Sequence, residues 1–240
     1  LILFVDTFNK YFEPENLRAA LRDLSAAGYD VFSPAITEKR PLCCGRTYLS
    51  TGLVEKARAE ASRLCDAFAP FVEQGISIVG LEPSCLLALR DEVPALLADD
   101  SARKIAEASL TFEELLIRDK PELPLAQVDG KVLLHGHCHQ KAFDVVKPVQ
   151  ALLGDVAGFE VELIQTSCCG MAGAFGYGAD TYDTSIAMAE ANLLPAIRQE
   201  DASTSIIADG TSCRCQIKDG TGRTAEHVAV LLDRLLVSDS

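Results

Sequence analysis

Tryptophan is absent from this chain of 240 residues, and aromatic side chains make up only 6% of it. A sizeable core must therefore come mostly from aliphatic residues, which the 48% hydrophobic content can supply. Positive charge is scarce as well: 22 Lys and Arg stand against 35 Asp and Glu, a net charge of −13. That excludes a nucleic-acid binder, which needs a basic face to neutralise phosphates. It equally disfavours an anionic membrane surface. There is no apolar run long enough to span a bilayer and no signal peptide. A phosphate-cradling loop is also missing: the glycines do not space as GxGxxG, no Gly-Lys-Ser/Thr occurs, and no acidic ribose partner is evident. Nothing in the chain resembles a flavin site.

Cysteine, by contrast, is plentiful and patterned. Cys43-Cys44-Gly45 lies in the first half and Cys168-Cys169-Gly170 in the second. Each pair is followed by a lone cysteine in a similar setting, Gly80-Leu-Glu-Pro-Ser-Cys85 and Ala208-Asp-Gly-Thr-Ser-Cys213. The intervals are alike, with 40 residues between Cys44 and Cys85 and 43 between Cys169 and Cys213. This is an internal duplication with a cysteine constellation in each copy. Thiolates brought to one point bind soft metals or an iron–sulfur cluster. The competing reading of cysteine is a small buried hydrophobe. Cys65 fits that role, on one helix-period face with Leu53, Ala57, Ala61, Leu64 and Phe68. Disulfides are disfavoured, because nine is an odd count and a chain of this size needs no staples. Reduced thiols at a metal site fit a cytoplasmic protein, with peripheral association at the inner face of the membrane left open.

Strands and helices alternate along the chain. Leu1–Val5 reads as a buried strand. Pro14 opens a helix with Leu17, Leu21 and Leu24 on one face, closed by Gly28. Val31-Phe32 begins a second strand. A helix from about Gly52 to Phe68 follows the first cysteine pair, and Ile76–Gly80 is the third strand. Pro83 opens another helix holding Leu86, Leu87 and Leu89. The second half repeats this grammar. Lys131–His135 is a strand with a helix after His139, and Phe159–Ile164 is a strand running into Cys168-Cys169. Tyr182, Ile186, Ala189, Leu193 and Ile197 mark a helix kinked or broken near Pro195. Ser205–Ala208 is a strand, and Thr224–Leu236 is the final helix. The expected fold is α/β: two similar halves, residues 1–120 and 131–240 with a linker at 121–130. Each half is a small parallel sheet flanked by helices, and the halves are related by pseudo-two-fold symmetry. The start at Leu1-Ile-Leu-Phe-Val, without Met, reads as a piece of a longer polypeptide whose other domains carry further cofactors.

In parallel α/β folds, ligands sit beyond the carboxyl ends of the strands. Cys138, Cys168, Cys169 and Cys213 converge there from three loops, and four thiolates suffice for a [4Fe–4S] cluster. Cys43, Cys44 and Cys85 form the matching half-site. The position corresponding to Cys138 falls near Asp6-Thr7, where no cysteine stands. Gly170, Gly173, Gly176 and Gly178 read either as a tight turn on the sheet or as a nest of amides facing an anion. Zinc would take mixed Cys and His ligands, and three of the four histidines lie in His135-Gly136-His137-Cys138-His139. If the strand ran through this segment, Cys138 would point away from all three. One histidine at most is then expected near the cluster, as a hydrogen-bond donor to sulfur. Glu82 and Asp209 read as caps of a helix or a turn.

These segments resemble a known family. Pro41-Leu-Cys-Cys-Gly-Arg, Leu81-Glu-Pro-Ser-Cys, His135-Gly-His-Cys-His-Gln-Lys, Ser167-Cys-Cys-Gly-Met-Ala-Gly and Asp209-Gly-Thr-Ser-Cys-Arg match the cysteine-rich domain named for its Cys-Cys-Gly motif. That domain occurs in iron–sulfur subunits of glycolate oxidase, lactate utilisation and anaerobic glycerol-3-phosphate dehydrogenase. It also occurs in the B subunit of heterodisulfide reductases. The likeness is greatest to the carboxyl-terminal part of fused FAD-linked oxidase/iron–sulfur proteins of the D-lactate dehydrogenase type. The resemblance implies an electron-transfer module. A flavoprotein dehydrogenase domain or subunit carrying FAD would oxidise a 2-hydroxy acid and pass electrons through iron–sulfur centres to a quinone or another acceptor. The chain departs from the family pattern in three places. Its first set lacks the leading cysteine, and Glu82 and Gly210 stand where each late cysteine pair would have its other member. Cys215 does not restore the spacing. Two alternatives share the site: a cluster that itself reduces a disulfide, and zinc in a structural docking domain.

Overall fold

The computed structural model describes residues 1–34, 40–126 and 128–237. Gln127, inside the expected linker, and the last three residues lie outside that range. The chain divides into two compact units, Leu1–Leu123 and Pro124–Ser240.

The first unit runs β1 (Ile2–Phe4), α1 (Thr7–Tyr11), α2 (Pro14–Ala26), α3 (Arg46–Ser50), α4 (Val54–Val72), β2 (Ile78–Gly80) and α5 (Pro83–Leu86). It continues through α6 (Glu92–Leu97), α7 (Asp100–Ala108), β3 (Ser109–Thr111) and α8 (Phe112–Asp119). The strands pair in parallel in the order β1-β2-β3. Phe32 adds a single parallel bridge to Ile2 on the other side of β1. β1 and β2 are buried along their whole length, as parallel strands covered on both faces are. Phe4 meets Phe68 of α4 edge to face at 5.7 Å, and Cys65 packs in the same core beside Leu64. Burying a ring such as Phe68 stabilises the unit by about 2–3 kcal/mol.

Two helix faces differ from expectation. In α2 the buried residues are Asn16, Ala19, Ala20, Asp23 and Leu24, while Leu21 is 41% exposed. The buried face passes through Ala20 and Leu24 and leaves Leu21 to one side. Leu53 is not on the buried face of α4 either. It is the N-cap residue and stays exposed. The closing turn at Gly28 is as expected, with φ +82°, a region glycine enters without strain.

The second unit runs β4 (Lys131–Leu134), α9 (Cys138–Ala142), α10 (Val146–Ala151), β5 (Glu160–Leu163), α11 (Tyr182–Glu190), α12 (Leu193–Gln199), β6 (Ser205–Ile207), α13 (Thr211–Thr221), β7 (Ala225–Glu226) and α14 (Val228–Leu235). All strands are parallel, in the order β5-β4-β6-β7. Counting the Phe32 bridge, both units place their second strand beside the first, with the third and fourth on the opposite side. β5 is an edge strand with Glu160 and Glu162 turned outward, and Lys131 Nζ sits 2.6 Å from Glu162. Charges of this kind keep an edge from pairing further. The break in the long expected helix falls before Leu193. Pro195 lies in the first turn of α12, where a missing N–H costs nothing. The expected final helix begins late, because Ala225–Glu226 first adds β7. Within the stretch expected as a linker, Ala126 N donates to Leu235 O at 2.8 Å and Val237 N to Pro124 O at 2.8 Å.

Candidate metal centre

Three adjacent strands of the second unit end at one edge, and each delivers cysteine there. β4 stops at Leu134, and the chain turns into α9 with His137 as N-cap and Cys138 as the first helical residue. His137 Nδ1 accepts from His139 N at 3.1 Å, and Gln140 closes the capping box onto His137 N at 3.0 Å. β5 leads into Cys168-Cys169-Gly170. β6 leads through Ala208 and Asp209 to α13, whose third residue is Cys213. The sulfurs form a contact series: Cys138 hydrogen-bonds Cys168, Cys168 bonds Cys169, and Cys169 bonds Cys213. Cys169 and Cys213 are buried, Cys168 is half-buried and Cys138 is exposed.

The strand does not continue through the histidine segment, so the alternation that would have parted Cys138 from the histidines is lost. Two histidines adjoin the sulfurs instead of at most one. A ring nitrogen of His135 lies with Cys169 Sγ and Cys213 Sγ in a group whose atoms are all within 4.8 Å of one another. His137 acts at longer range, favouring negative charge on Cys168 and Cys213.

The surroundings sort the thiols into donors and acceptors. The hydrogen bond from Cys138 holds Cys168 well below the ordinary thiol pKa, aided by Cys169 and by Gly170 N, which donates to its sulfur at 3.3 Å. The bond from Cys169 likewise holds Cys213 down, with His135 adding to it, against the cost of burial. Cys138 and Cys169 are pushed up, chiefly by the bonds they make to Cys168. Lys141 stands over the group. Its Nζ donates to Thr166 O at 2.6 Å, Thr166 Oγ1 at 2.9 Å and Ser167 O at 3.3 Å. Burial lowers its pKa, and the nearby sulfurs oppose that. The two lowered thiols and the neighbouring Lys141 ammonium favour binding of a soft metal.

A buried polar bridge ties the loops together. Gln140 Nε2 donates to Asp209 Oδ2 at 2.9 Å, and Val228 N donates to Asp209 Oδ1 at 3.2 Å. Asp209 therefore does not cap α13, whose N-cap is Gly210. It joins the Cys138 loop, the Cys213 loop and the start of α14. Glu82 does cap α5, accepting from Ser84 N at 3.3 Å.

The first unit repeats the backbone but not the chemistry. Gly45 and Gly170 both have positive φ, +79° and +89°, and Gly45 N donates to Cys43 Sγ at 3.5 Å. Cys43 bonds Cys44, and Cys44 bonds Cys85. At the place of His137-Cys138 stand Asp6, capping α1, and Thr7. The bond from Cys44 pulls Cys85 down, but burial and the carboxylates of Asp6 and Glu82 outweigh it and push its pKa to about 11. Asp6 itself is pushed up to about 6 by burial and then by Glu82. Acids surround this trio, where imidazoles and an ammonium surround the other set. Cys65 lies in the core beside Ala61 and Phe68. Cys215 is half-buried and bonds the Tyr177 hydroxyl, raising the tyrosine to about 12. The four-residue set, Thr166, Lys141 and Gln140 thus form one neighbourhood, and no spacing in the sequence marks the last three.

Residues 132–218 match the family model of the cysteine-rich domain, CCG. Across the chain, 238 residues align at 28% identity with one of the subunits of the anaerobic glycerol-3-phosphate dehydrogenase of Escherichia coli, covering 97% of this chain and 58% of the relative. The D-2-hydroxyglutarate dehydrogenase of Escherichia coli aligns at 26% identity over 97% of this chain but only 22% of its own length. Lactate utilization protein A 1 of Bacillus mycoides aligns at 25% identity over 72% of this chain and 71% of its own. The chain thus spans a little over half of the first relative and about a fifth of the second. The match to the cysteine-rich domain model falls within the second unit, over the segment that carries Cys138, Cys168, Cys169 and Cys213.

Proposed function

We propose that the chain is the iron–sulfur electron-transfer part of a flavin-linked 2-hydroxy-acid or glycerol-phosphate dehydrogenase. FAD would be held by another domain or subunit, and a quinone or similar carrier would accept the electrons. One observation carries this reading: Cys138, Cys168, Cys169 and Cys213 meet in a contact series at the ends of three adjacent parallel strands. The donor set fits an iron–sulfur group, with four sulfurs, two already favouring the thiolate, and an amide donating to one of them. A [4Fe–4S] cluster held there would accept and release single electrons. Gly170 N–H and Lys141 offset the charge of the sulfurs, while burial of Cys169 and Cys213 keeps water from half of the set. Cys138, the exposed member, marks the side from which a partner's electron arrives.

Cys43, Cys44 and Cys85 would hold a second, weaker centre, since Asp6 and Glu82 disfavour further negative charge around them. No helix among the described residues is long and apolar enough to cross a membrane, so delivery to a quinone would call on a partner or on peripheral contact. Anaerobic reconstitution tests the reading. The loaded chain should be reduced by photoreduced free flavin and reoxidised by a soluble quinone analogue, yet show no turnover with D-lactate or glycolate alone. Turnover without an added flavoprotein would sink it. The zinc reading draws on the His135–Cys169–Cys213 group. A colourless protein with one zinc and no iron after anaerobic purification would favour it.

A further inference from the structure

His135 sits at the sulfur group with an unused proton position. The residue is 1% exposed, and Nε2 is buried with no hydrogen-bond partner. Nδ1 lies 3.2 Å from Thr166 Oγ1. One ring nitrogen lies within 4.8 Å of both Cys169 Sγ and Cys213 Sγ; with Nδ1 engaged by Thr166, we assign Nε2 to the sulfurs. Which nitrogen carries the proton follows from Lys141. An ammonium only donates, so Thr166 Oγ1 accepts from Lys141 Nζ at 2.9 Å. The hydroxyl has one proton of its own to place. Directed at Nδ1, it gives Thr166 Oγ1 and Nδ1 each a partner, and the imidazole proton then resides on Nε2. The opposite tautomer would have Thr166 accept twice and leave its proton without an acceptor in the described structure.

We propose that His135, held in its Nε2–H form by Thr166 and Lys141, donates a hydrogen bond to the metal-bound sulfurs of Cys213 and Cys169. This rests on the reading of the centre as an iron–sulfur site. The assignment makes His135 a donor and not a ligand, because a protonated Nε2 has no lone pair to offer a metal. It also gives His135 a defined task. A donor to a ligand sulfur stabilises the more negative, reduced state and raises the reduction potential. Lys141 and Thr166 are positioning residues, acting on the centre through the imidazole. Sequence alone could not select His135 over His137 or His139, since all three lie within five residues.

The test uses the whole chain, reconstituted anaerobically with iron and sulfide. Iron per chain, an EPR-monitored redox titration and proton ENDOR in H2O and D2O are read for the wild type and for His135→Leu, His135→Gln and Thr166→Val. The expected result for His135→Leu is unchanged iron, loss of an exchangeable proton coupling, and a reduction equilibrium shifted about tenfold toward the oxidised state. That shift is about 59 mV for a one-electron couple. His135→Gln, which keeps a donor, should restore part of the shift. Thr166→Val should move the potential the same way by less, since Lys141 keeps two carbonyl partners. Full iron with an unmoved potential in His135→Leu overturns this proposal alone. A strong nitrogen coupling in the wild type, or iron lost on His135 replacement, makes the histidine a ligand and overturns it too. A wild type that takes up no iron refutes the reading of the centre itself, and this inference with it.

Discussion

The backbone amide of Gly170 donates to Cys168 Sγ at 3.3 Å, and Gly45 repeats the contact with Cys43 at 3.5 Å. The glycine is required at both places by the same geometry. Each has a left-handed φ, which glycine enters without strain, in a turn whose amide meets the sulfur two residues earlier. At Gly170 the space is closed as well. A Cβ built there would lie 2.1 Å from Ser185 O and 3.1 Å from Gln216 Nε2. The Gln216 side chain is itself tied to Ser185 Oγ at 3.0 Å, so it has little room to yield.

Gly170→Ala is therefore expected to destabilise the second unit by about 2–4 kcal/mol, combining positive-φ strain with a backbone clash. Chemical denaturation reads this directly. Gly45→Ala should cost less, because its nearest contact is Ala57 O at 3.0 Å. Equal losses at the two positions would mean that the loops are not held as described.

The cysteines rank by position. Serine in place of Cys138, Cys168, Cys169 or Cys213 should remove most of the iron after reconstitution, because a four-ligand cluster has no spare thiolate. Cys65→Ser should leave iron unchanged, since that side chain is packed among Ala61, Leu64 and Phe68. Iron analysis with circular dichroism as a fold check settles each case. Full iron in Cys169→Ser, or loss in a folded Cys65→Ser, would overturn the assignment.

The polar bridge between the loops predicts a longer-range effect. Gln140→Ala leaves Asp209 Oδ2 without its donor in a site that is 1% exposed. An orphaned buried carboxylate oxygen costs on the order of 1–3 kcal/mol. Iron should also be lost faster to a chelator, because Cys138 and Cys213 are no longer tied to each other. Asp209→Asn should behave similarly, having lost the charge that receives Gln140 Nε2 and Val228 N. Chelator release rates equal to wild type in both variants would remove the bridge from the account.

Asp6 gives a pH dependence to the first unit of the metal-free chain. Its pKa is raised from 3.8 to about 6, first by burial and then by Glu82. Folding therefore favours the protonated form. The stabilisation is fully present below the unfolded value near 4 and is lost as pH rises through about 6. The melting temperature should fall across that window, by an amount worth about 2–3 kcal/mol at most. Asp6→Asn keeps the helix cap and should flatten the profile. A flat wild-type curve between pH 4 and 7 would contradict this.

The α/β class and the parallel sheets were legible because each rests on a short-range pattern. Buried runs such as Ile2–Phe4 and Val132–Leu134 mark the strands, and the Cys-Cys-Gly and Ser-Cys repeats mark the loops beyond them. What escaped the sequence depends on packing. Leu21 looks like core by period, but the buried face of α2 passes through Ala20 and Leu24 and leaves it to one side. β3 carries Ser109 and Thr111 around one leucine and runs straight into α8, and β7 is only two residues, so neither shows an apolar run. Thr166, Lys141 and Gln140 matter through partners 25, 31 or 69 positions away, which no local spacing announces. The histidines depart from expectation for one reason: the strand ends at Leu134, one residue before His135, so strand alternation no longer governs them.

The most direct test is anaerobic iron and acid-labile sulfide analysis of the reconstituted chain, with an EPR spectrum of the reduced protein. The account predicts a brown protein with about four iron and four sulfide for the second-unit centre, and a signal that Cys138→Ser, Cys168→Ser, Cys169→Ser and Cys213→Ser each abolish. A colourless protein that binds zinc and takes up no iron, or a signal unchanged by all four replacements, would contradict it.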